Sequence, residues 1–452
     1  MSEREFFGTD GIRGPANVFP LTPDFAVRLG RAAAEVFLRK RGEVREWPVV
    51  VIGKDTRQSC DKLESAIASG IASCGVDVRL AGVLPTPGVA RLTVEERALF
   101  GVVISASHNP FQDNGIKFFG PDGYKLADEE EMEIEKRVGE DRESDGSKVG
   151  RISPLGGAVE RYVAFVRSGT GSDPELFAGL TIALDAANGA SYETSAAVLR
   201  SLGAKVLSFH DQPNGININE DCGCTHAEVI ESIVRETGAD VGISHDGDAD
   251  RVLLCDETGS VLDGDELMAI AAIGLLEKGR LAEKTLVATV MSNAGLEEAV
   301  QKAGGKVVRA GVGDRYVMEE MKEHGYNFGG EQSGHFIFRD HNTTGDGIVS
   351  AVQLLQIMKE KGQPLSELRK VLTRFPQVQR NIRVHTKPVI ETLAAASIIQ
   401  EIRETLGDAG RVMLRYSGTE PLLRVLLEGK DADWIDDQAD RLAASIEAEI
   451  GA

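Results

Sequence analysis

Short β-branched runs alternate along the chain with stretches of helical period, and the alternation recurs. Val49 to Asp55 (VVVIGKD) reads as a buried strand, Asp61 to Ser73 as a helix closed by Gly75, and Asp77 to Gly82 (DVRLAG) as the next strand. Leu180 to Asp185 (LTIALD), a helix through Ala196 and Leu199 ending at Gly203, and Ala204 to Phe209 (AKVLSF) make a second such unit. Leu286 to Val290, a helix from Leu296 to Ala303, a Gly304-Gly305 stop and Lys306 to Ala310 (KVVRA) make a third. Strands separated by helices of this length form largely parallel, mixed sheets, because a parallel return needs a crossover of about a dozen residues.

Downstream of each unit a further apolar strand runs into a polar cluster: Ser107 after the first, Asp246 after the second, and Glu331, Ser333 and His335 after the third. Beyond about Arg374 the pattern changes. A strand-like QVQRNIRVHT, a helix from Val389 to Leu406, a strand at Val412 to Arg415, an SGTEP loop, a strand LLRVLLEG and an amphipathic helix from Asp433 predict a smaller α+β domain. The expected class is therefore α/β: three similar α/β domains with mixed sheets, spanning 1–153, 154–256 and 257–370, plus a C-terminal α+β domain at 371–452, set around a central cleft. The Pro364 to Pro376 region is the expected hinge.

Composition narrows the function. With 452 residues, 42% hydrophobic and 27% charged, the chain is globular, and no apolar run reaches the roughly 18 residues of a membrane span. The first residues, MSEREFFGTDGIRG, lack the apolar core of a signal peptide, which predicts a cytoplasmic protein. A net charge of −21 argues against nucleic acid or a membrane surface as partner, so an anionic ligand needs its cations gathered locally. Five cysteines are too few and too scattered for a disulfide framework. Cys222, Cys224 and His226, in DCGCTH, read as a turn of small residues rather than a metal site, since no second cysteine pair accompanies them.

The chemistry concentrates in four stretches. In GVVISASHNPFQDNGIKFFG a strand stops at a turn-forming cluster that puts Ser107 on a loop, flanked by His108 and Lys117. In HDGDADR, Asp246, Asp248 and Asp250 alternate, and Gly247 lets the backbone bend so that their oxygens converge; such hard donors suit Mg²⁺. Arg251 follows directly, and Arg13 lies in a Gly-rich loop, TDGIRG. In RYSGTEPLLR, Arg415, Ser417, Gly418, Thr419 and Arg424 offer hydroxyls, backbone N–H groups and two guanidinium groups to a phosphate.

Together with GVGDRYV, GGEQSGH and TTGDGI, these stretches resemble the phosphohexose mutase superfamily, in that family's order and from Phe6 to Pro421. Ala249 departs from the pattern where Gly is frequent, and Tyr416 where small or basic residues occur. The resemblance implies an isomerase acting as an intramolecular phosphotransferase, with glucosamine 6-phosphate and glucosamine 1-phosphate as the favoured pair and mannose or glucose phosphates as the alternative. It implies a phosphoserine at Ser107 and one Mg²⁺ per chain held by Asp246, Asp248 and Asp250 against that phosphate. Lys117 becomes the leading general acid/base, assisted by His108, Arg13 and Arg251, and this role needs its pKa depressed. Asp314 and Arg315 would shape the pocket, Glu331 and Ser333 bind sugar hydroxyls with His335 nearby, and Arg415 to Thr419 with Arg424 hold the nonreacting phosphate. A glucosamine or glucose 1,6-bisphosphate activator, a possible homodimer and a product destined for cell-envelope amino sugars are further implications. An Asp-based phosphatase using Asp246 or Asp248 and a noncatalytic sugar-phosphate binder are the competing readings.

Overall fold

A computed structural model describes residues 4–41, 47–140, 148–171, 173–407, 410–417 and 420–452. It divides into two compact units, Met1–Met291 with Val308–Lys370, and Ser292–Val307 with Val371–Ala452.

The first unit contains three sheets of one design. β1 (Ile12–Pro15), β2 (Val49–Lys54), β3 (Asp77–Val83), β4 (Gly101–Ile104), β5 (Asp113–Phe119) and β6 (Ile152–Pro154) form a sheet ordered β1-β5-β4-β2-β3-β6. β7 (Thr181–Asp185), β8 (Lys205–Phe209), β9 (Val241–His245), β10 (Val252–Cys255) and β11 (Val261–Leu262) form the second, ordered β11-β10-β9-β7-β8. β12 (Thr285–Thr289), β13 (Lys306–Ala310), β14 (Phe328–Gly330) and β15 (Phe336–Phe338) form the third, ordered β13-β12-β14-β15. In each, a parallel strand is followed at once by an antiparallel neighbour: β4 by β5, β9 by β10 and β14 by β15. A short connection permits only the antiparallel return. The three polar clusters of the sequence occupy these three connections.

The β-branched residues Val50, Val51 and Ile52 of β2 and Val102, Val103 and Ile104 of β4 are buried because helices cover the sheet. Phe25, Leu29, Val36, Ile67 and Ile71 of Pro23–Arg41 and Cys60–Ala72 pack with Val50, Ile52, Val102 and Ile104 in one core. The two helices meet through glycines. A Cβ on Gly30 would overlap the Ile67 carbonyl oxygen, and one on Gly70 the Val27 carbonyl oxygen. Among the described residues no helix is long and apolar enough to cross a membrane.

In the second unit β16 (Gln377–Arg383), β17 (Gly410–Tyr416) and β18 (Leu422–Gly429) form an antiparallel sheet ordered β16-β18-β17. Its core joins Leu423, Val425 and Leu427 to Ile399 and Ile402 and to Ile435, Leu442 and Ile446 of Ala432–Ile450. One expectation is corrected here. The helix read as Val389 to Leu406 is a 3-10 turn at Ile390–Thr392 and an α-helix at Ala396–Leu406. Between them Leu393 is extended, with ψ 149°, and buried. The Thr392 hydroxyl donates to Val389 O (2.6 Å), a local bond that competes with helix, and Glu449 accepts from Ala394 N (2.7 Å).

The helix contact in the first unit sets a stability prediction. Gly70→Ala forces the two helices apart and is expected to cost about 1–3 kcal/mol, read as a lower denaturation midpoint; an unchanged midpoint contradicts the close approach.

Candidate functional site

Ser107 sits in the β4 to β5 connection with φ +52°, the left-handed region that costs a residue bearing a Cβ about 1–2 kcal/mol. Such a conformation persists only where its surroundings fix it. Here Ser107 N donates to Ser105 Oγ (2.9 Å), and Ser107 O accepts from Arg57 Nη2 and Asn219 Nδ2 (both 2.9 Å). The same two side chains also donate to Asn109 O (2.8 and 3.0 Å). Arg57 is locked by Asp55 Oδ2 (2.8 Å), with both side chains fully buried. The result is a hydroxyl with a fixed direction: Ser107 Oγ donates to Asp246 Oδ2 at 2.6 Å and lies 3.3 Å from His108 Nδ1.

Asp246, Asp248 and Asp250 belong to the β9 to β10 connection, with one oxygen from each carboxylate inside 4.8 Å of the others. Ala249 has φ +54°, which explains why glycine suits this position. The loop rests on His245, buried between Ser195 Oγ (2.9 Å) and Arg251 O (3.1 Å), where burial lowers its pKa to about 4 and keeps it neutral. Burial, then Asp250 and Asp248, push the Asp246 carboxyl up to about 8. Asp248 Oδ2 accepts from Thr86 Oγ1 (2.6 Å) and Lys117 Nζ (2.7 Å). Burial opposes the charge on Asp250, but Lys117, His335 and Arg251 outweigh it and hold this carboxyl well below the usual range.

Two oxygens of the triad, Asp248 Oδ1 and Asp250 Oδ1, are buried without a hydrogen bond. Unsatisfied buried carboxylate oxygens are costly. A hard divalent cation satisfies them, and an all-oxygen donor set fits Mg²⁺.

Around the triad charges alternate in a closed ring. Lys117 Nζ meets Asp10 Oδ2 (3.0 Å), Asp248 and Asp250 (3.6 Å). Lys125 Nζ bridges Asp10 Oδ1 and Asp314 Oδ2. His335 closes the ring, with Nε2 3.5 Å from Asp314 and Nδ1 3.6 Å from Asp250. Burial disfavours the charged ring of His335, but Asp250 and Asp314 prevail and raise it to about 9. A cavity of about 410 Å³ opens beside these groups, lined also by Arg13, His108, Arg251 and Glu331. Glu331 Oε1 is oriented by Gly313 N (3.0 Å).

Lys117 departs from expectation. Burial alone would depress it, yet Asp10, Asp248 and Asp250 raise it strongly, so it is held as a buried ammonium donor rather than as a free amine. Arg315 is directed at Asp128 and Glu131 (2.8 Å to Glu131), which Arg4 also reaches, and does not line the cavity. Ser333 is exposed on the β14 to β15 connection, whereas His335 is buried. The three residues of the DCGCTH turn have different surroundings. Cys224 Sγ donates to Ser244 O (2.9 Å) and His226 faces Glu228 (3.3 Å).

In the second unit Arg415 and Arg424 are direct cross-strand partners of β17 and β18, an arrangement of like charges that favours an anion. Ser417 N donates to Leu422 O (2.8 Å), and Lys387 Nζ donates to Ser417 O (2.5 Å). Gly418 and Thr419 lie outside the described residues.

Sequence reasoning missed Asp10, Lys125, Arg57, Thr86 and Asn219. Asp10 lies three residues before Arg13 in the same Gly-rich loop, which was a usable signal. Arg57 and Asn219 act through backbone carbonyls, for which no pattern exists.

The triad yields a direct prediction. Asp248→Asn removes one negative charge and should weaken Mg²⁺ binding by roughly tenfold or more in calorimetric titration; an unchanged affinity would mean the ion binds elsewhere.

Family models of phosphoglucomutase/phosphomannomutase match the chain throughout: α/β/α domain I over residues 4–145, domain II over 160–259, domain III over 263–375 and the C-terminal domain over 358–445. Phosphoglucosamine mutase of Geotalea daltonii is 52% identical over 453 residues, covering 99% of each chain. That of Desulfotalea psychrophila is 50% identical, covering 98% of each. The fold is shared with a phosphoglucomutase/phosphomannomutase family protein of Burkholderia thailandensis (TM-score 0.81, 22% identity, 99% of this chain and 98% of that one). It is also shared with Aspergillus fumigatus N-acetylphosphoglucosamine mutase, solved with GlcNAc-6P and magnesium (TM-score 0.61, 18% identity, 99% and 96%).

Proposed function

Because the chain belongs to the phosphoglucomutase/phosphomannomutase family and has the activity of its phosphoglucosamine mutases, interconverting glucosamine 6-phosphate and glucosamine 1-phosphate, we propose that Ser107 carries the transferred phosphoryl group. The observation that supports this reading is Ser107 Oγ, fixed in direction and 2.6 Å from a carboxylate of the buried triad, beside a cavity rich in cations.

The reaction runs in two transfers. The phosphoserine P–O bond breaks as a sugar hydroxyl attacks and loses its proton, giving glucosamine 1,6-bisphosphate and a free serine. The bisphosphate turns end for end, and Ser107 Oγ takes the other phosphoryl group as its own proton leaves. A phosphate of about −2 beside three carboxylates sums to about −5, so phosphoryl transfer here depends on neutralisation and positioning. Asp246, Asp248 and Asp250 would hold Mg²⁺, which would supply Lewis-acid stabilisation of that charge.

The chain's own residues do the rest. Lys117, as an ammonium beside Asp248, donates to the phosphoryl oxygens or to a departing alkoxide. Arg13, Arg251 and His108 line the cavity where the phosphoryl group moves. Glu331 and Ser333 take sugar hydroxyls, with Asp314 and His335 setting the wall between them and the triad. Arg415 and Arg424, with the loop through Ser417, Gly418 and Thr419, hold the nonreacting phosphate. Arg315 contributes by tying its segment to Asp128 and Glu131. In this reading a bisphosphate activator restores phosphoserine when the intermediate escapes, and charged sugar phosphates, which do not cross a bilayer unaided, support a cytoplasmic location.

Ser107→Ala is expected to lower kcat at least a thousandfold while leaving the melting temperature within a few degrees, since a loop hydroxyl contributes little to the core. Intact mass after incubation with glucose 1,6-bisphosphate should show one added phosphoryl group in the parent protein and none in Ser107→Ala. A phosphorylated variant, or a variant with substantial turnover, removes Ser107 from this role.

A further inference from the structure

A second group of potential ligands lies behind the catalytic loops. Asp185 ends β7, His210 follows β8 and Cys222 belongs to the segment before Ala227–Thr237, so three separate parts of the second sheet's surroundings contribute to it. One carboxylate oxygen, one imidazole nitrogen and the Cys222 sulfur all lie within 4.8 Å of one another. We propose that Asp185, His210 and Cys222 bind a soft divalent transition-metal ion, Zn²⁺ by donor chemistry, at a site separate from the carboxylate triad.

The geometry is close to what such an ion needs. His210 Nδ1 and Asp185 Oδ1 are 3.1 Å apart. Two ligands about 2.0–2.1 Å from a tetrahedral zinc stand about 3.3 Å from each other, so little movement is required. The pair is already oriented, because Asp185 also accepts from Ala187 N (2.9 Å) through Oδ1 and from Gly223 N (2.8 Å) through Oδ2. Each of these oxygens keeps lone-pair capacity for a metal. The sulfur is the ligand that selects a soft ion. Cys222 is fully buried, and among the described residues its sulfur receives only a long contact from Asn188 Nδ2 at 3.9 Å.

Thiolate, imidazole and carboxylate together select zinc-like ions over magnesium, whereas the all-carboxylate triad has the opposite preference. His210 is part-exposed, which leaves an entry path and a coordination position for water. Ala187, Asn188, His210, Asn219 and Asp221 all have positive φ, so the loops that converge here turn sharply, mostly at residue types that tolerate the left-handed region. Binding releases the Cys222 thiol proton and moves the His210 proton off Nδ1; affinity therefore rises with pH.

The position also matters for Ser107. Asn219 N donates to Ala187 O (2.9 Å), two residues from Asp185, and Asn219 Nδ2 holds the Ser107 and Asn109 carbonyls. An ion at this cluster thus bears on the turn that fixes the serine loop.

The test uses full-length protein saturated with Mg²⁺ and titrated with Co²⁺. Ligation by Cys222 produces a thiolate-to-cobalt charge-transfer band in the near ultraviolet that oxygen ligation at the triad does not. The expected result is a band saturating at one equivalent, abolished in Cys222→Ser, at least tenfold weaker in apparent affinity in His210→Ala, and retained in Cys224→Ser. Absence of the band in the parent protein, its survival in Cys222→Ser, full affinity in His210→Ala or its loss in Cys224→Ser instead each overturns the assignment. His210 is part-exposed, so His210→Ala decides the question on its own should Cys222→Ser fail to fold. Since neither His210 nor Cys222 takes part in the mutase reaction, failure here leaves the Ser107 reading untouched.

Discussion

Three carboxylates buried within one ion's reach of each other are the constraint from which the first unit's site is built. Their mutual repulsion and desolvation would be prohibitive without compensation. Lys117 and His335 offset part of the charge, and the arrangement extends outward through Asp10, Lys125 and Asp314, while Asp246 meets the Ser107 hydroxyl instead of a cation. What those cations leave undone is seen in the two oxygens that find no hydrogen bond. An acidic chain thus gathers cations around a cavity whose carboxylate triad suits a metal ion.

The fold makes this possible by repeating one device. Each of the three sheets turns from a parallel strand to an antiparallel neighbour, and the tight connection projects polar groups from the strand end. Brought together, the three connections supply Ser107, the aspartates, and Glu331 with His335. The serine loop depends most on support from elsewhere. Its left-handed residue is fixed by Arg57 from the β2 end and by Asn219 from the second domain, so the direction of one hydroxyl is determined by residues far apart in the chain.

Much of the architecture was legible because the apolar runs of β2, β4, β7 and β9 are short, β-branched and closed by turn residues. The observed limits of β2 and β7 lie within a residue of those read from the pattern. The segment from Val389 to Leu406 misled because its period is helical throughout. Burial of Leu393 and the Thr392 hydroxyl bond to Val389 O interrupt it, and both depend on context that periodicity does not carry. At the site, polar clusters at strand ends pointed to Ser107, Asp246 and Glu331. Lys117 shows the limit of such reading: its position was evident, but the sign of its electrostatic environment depends on Asp10 and Asp248, which only the folded chain brings to it. Cys222 shows the same in reverse, since the ligating groups the fold brings within 4.8 Å of its sulfur are Asp185 and His210, distant in sequence, while Cys224 bonds Ser244 O and His226 faces Glu228.

The central claim is that the ion on the aspartates and the phosphoryl group on Ser107 are immediate neighbours. Electron-nuclear double resonance on the phosphorylated protein loaded with Mn²⁺ measures that contact directly, through the hyperfine coupling of manganese to ³¹P. A strong phosphorus coupling that disappears on dephosphorylation and in Asp248→Ala is expected. Manganese bound to the phosphorylated protein without any phosphorus coupling would contradict it.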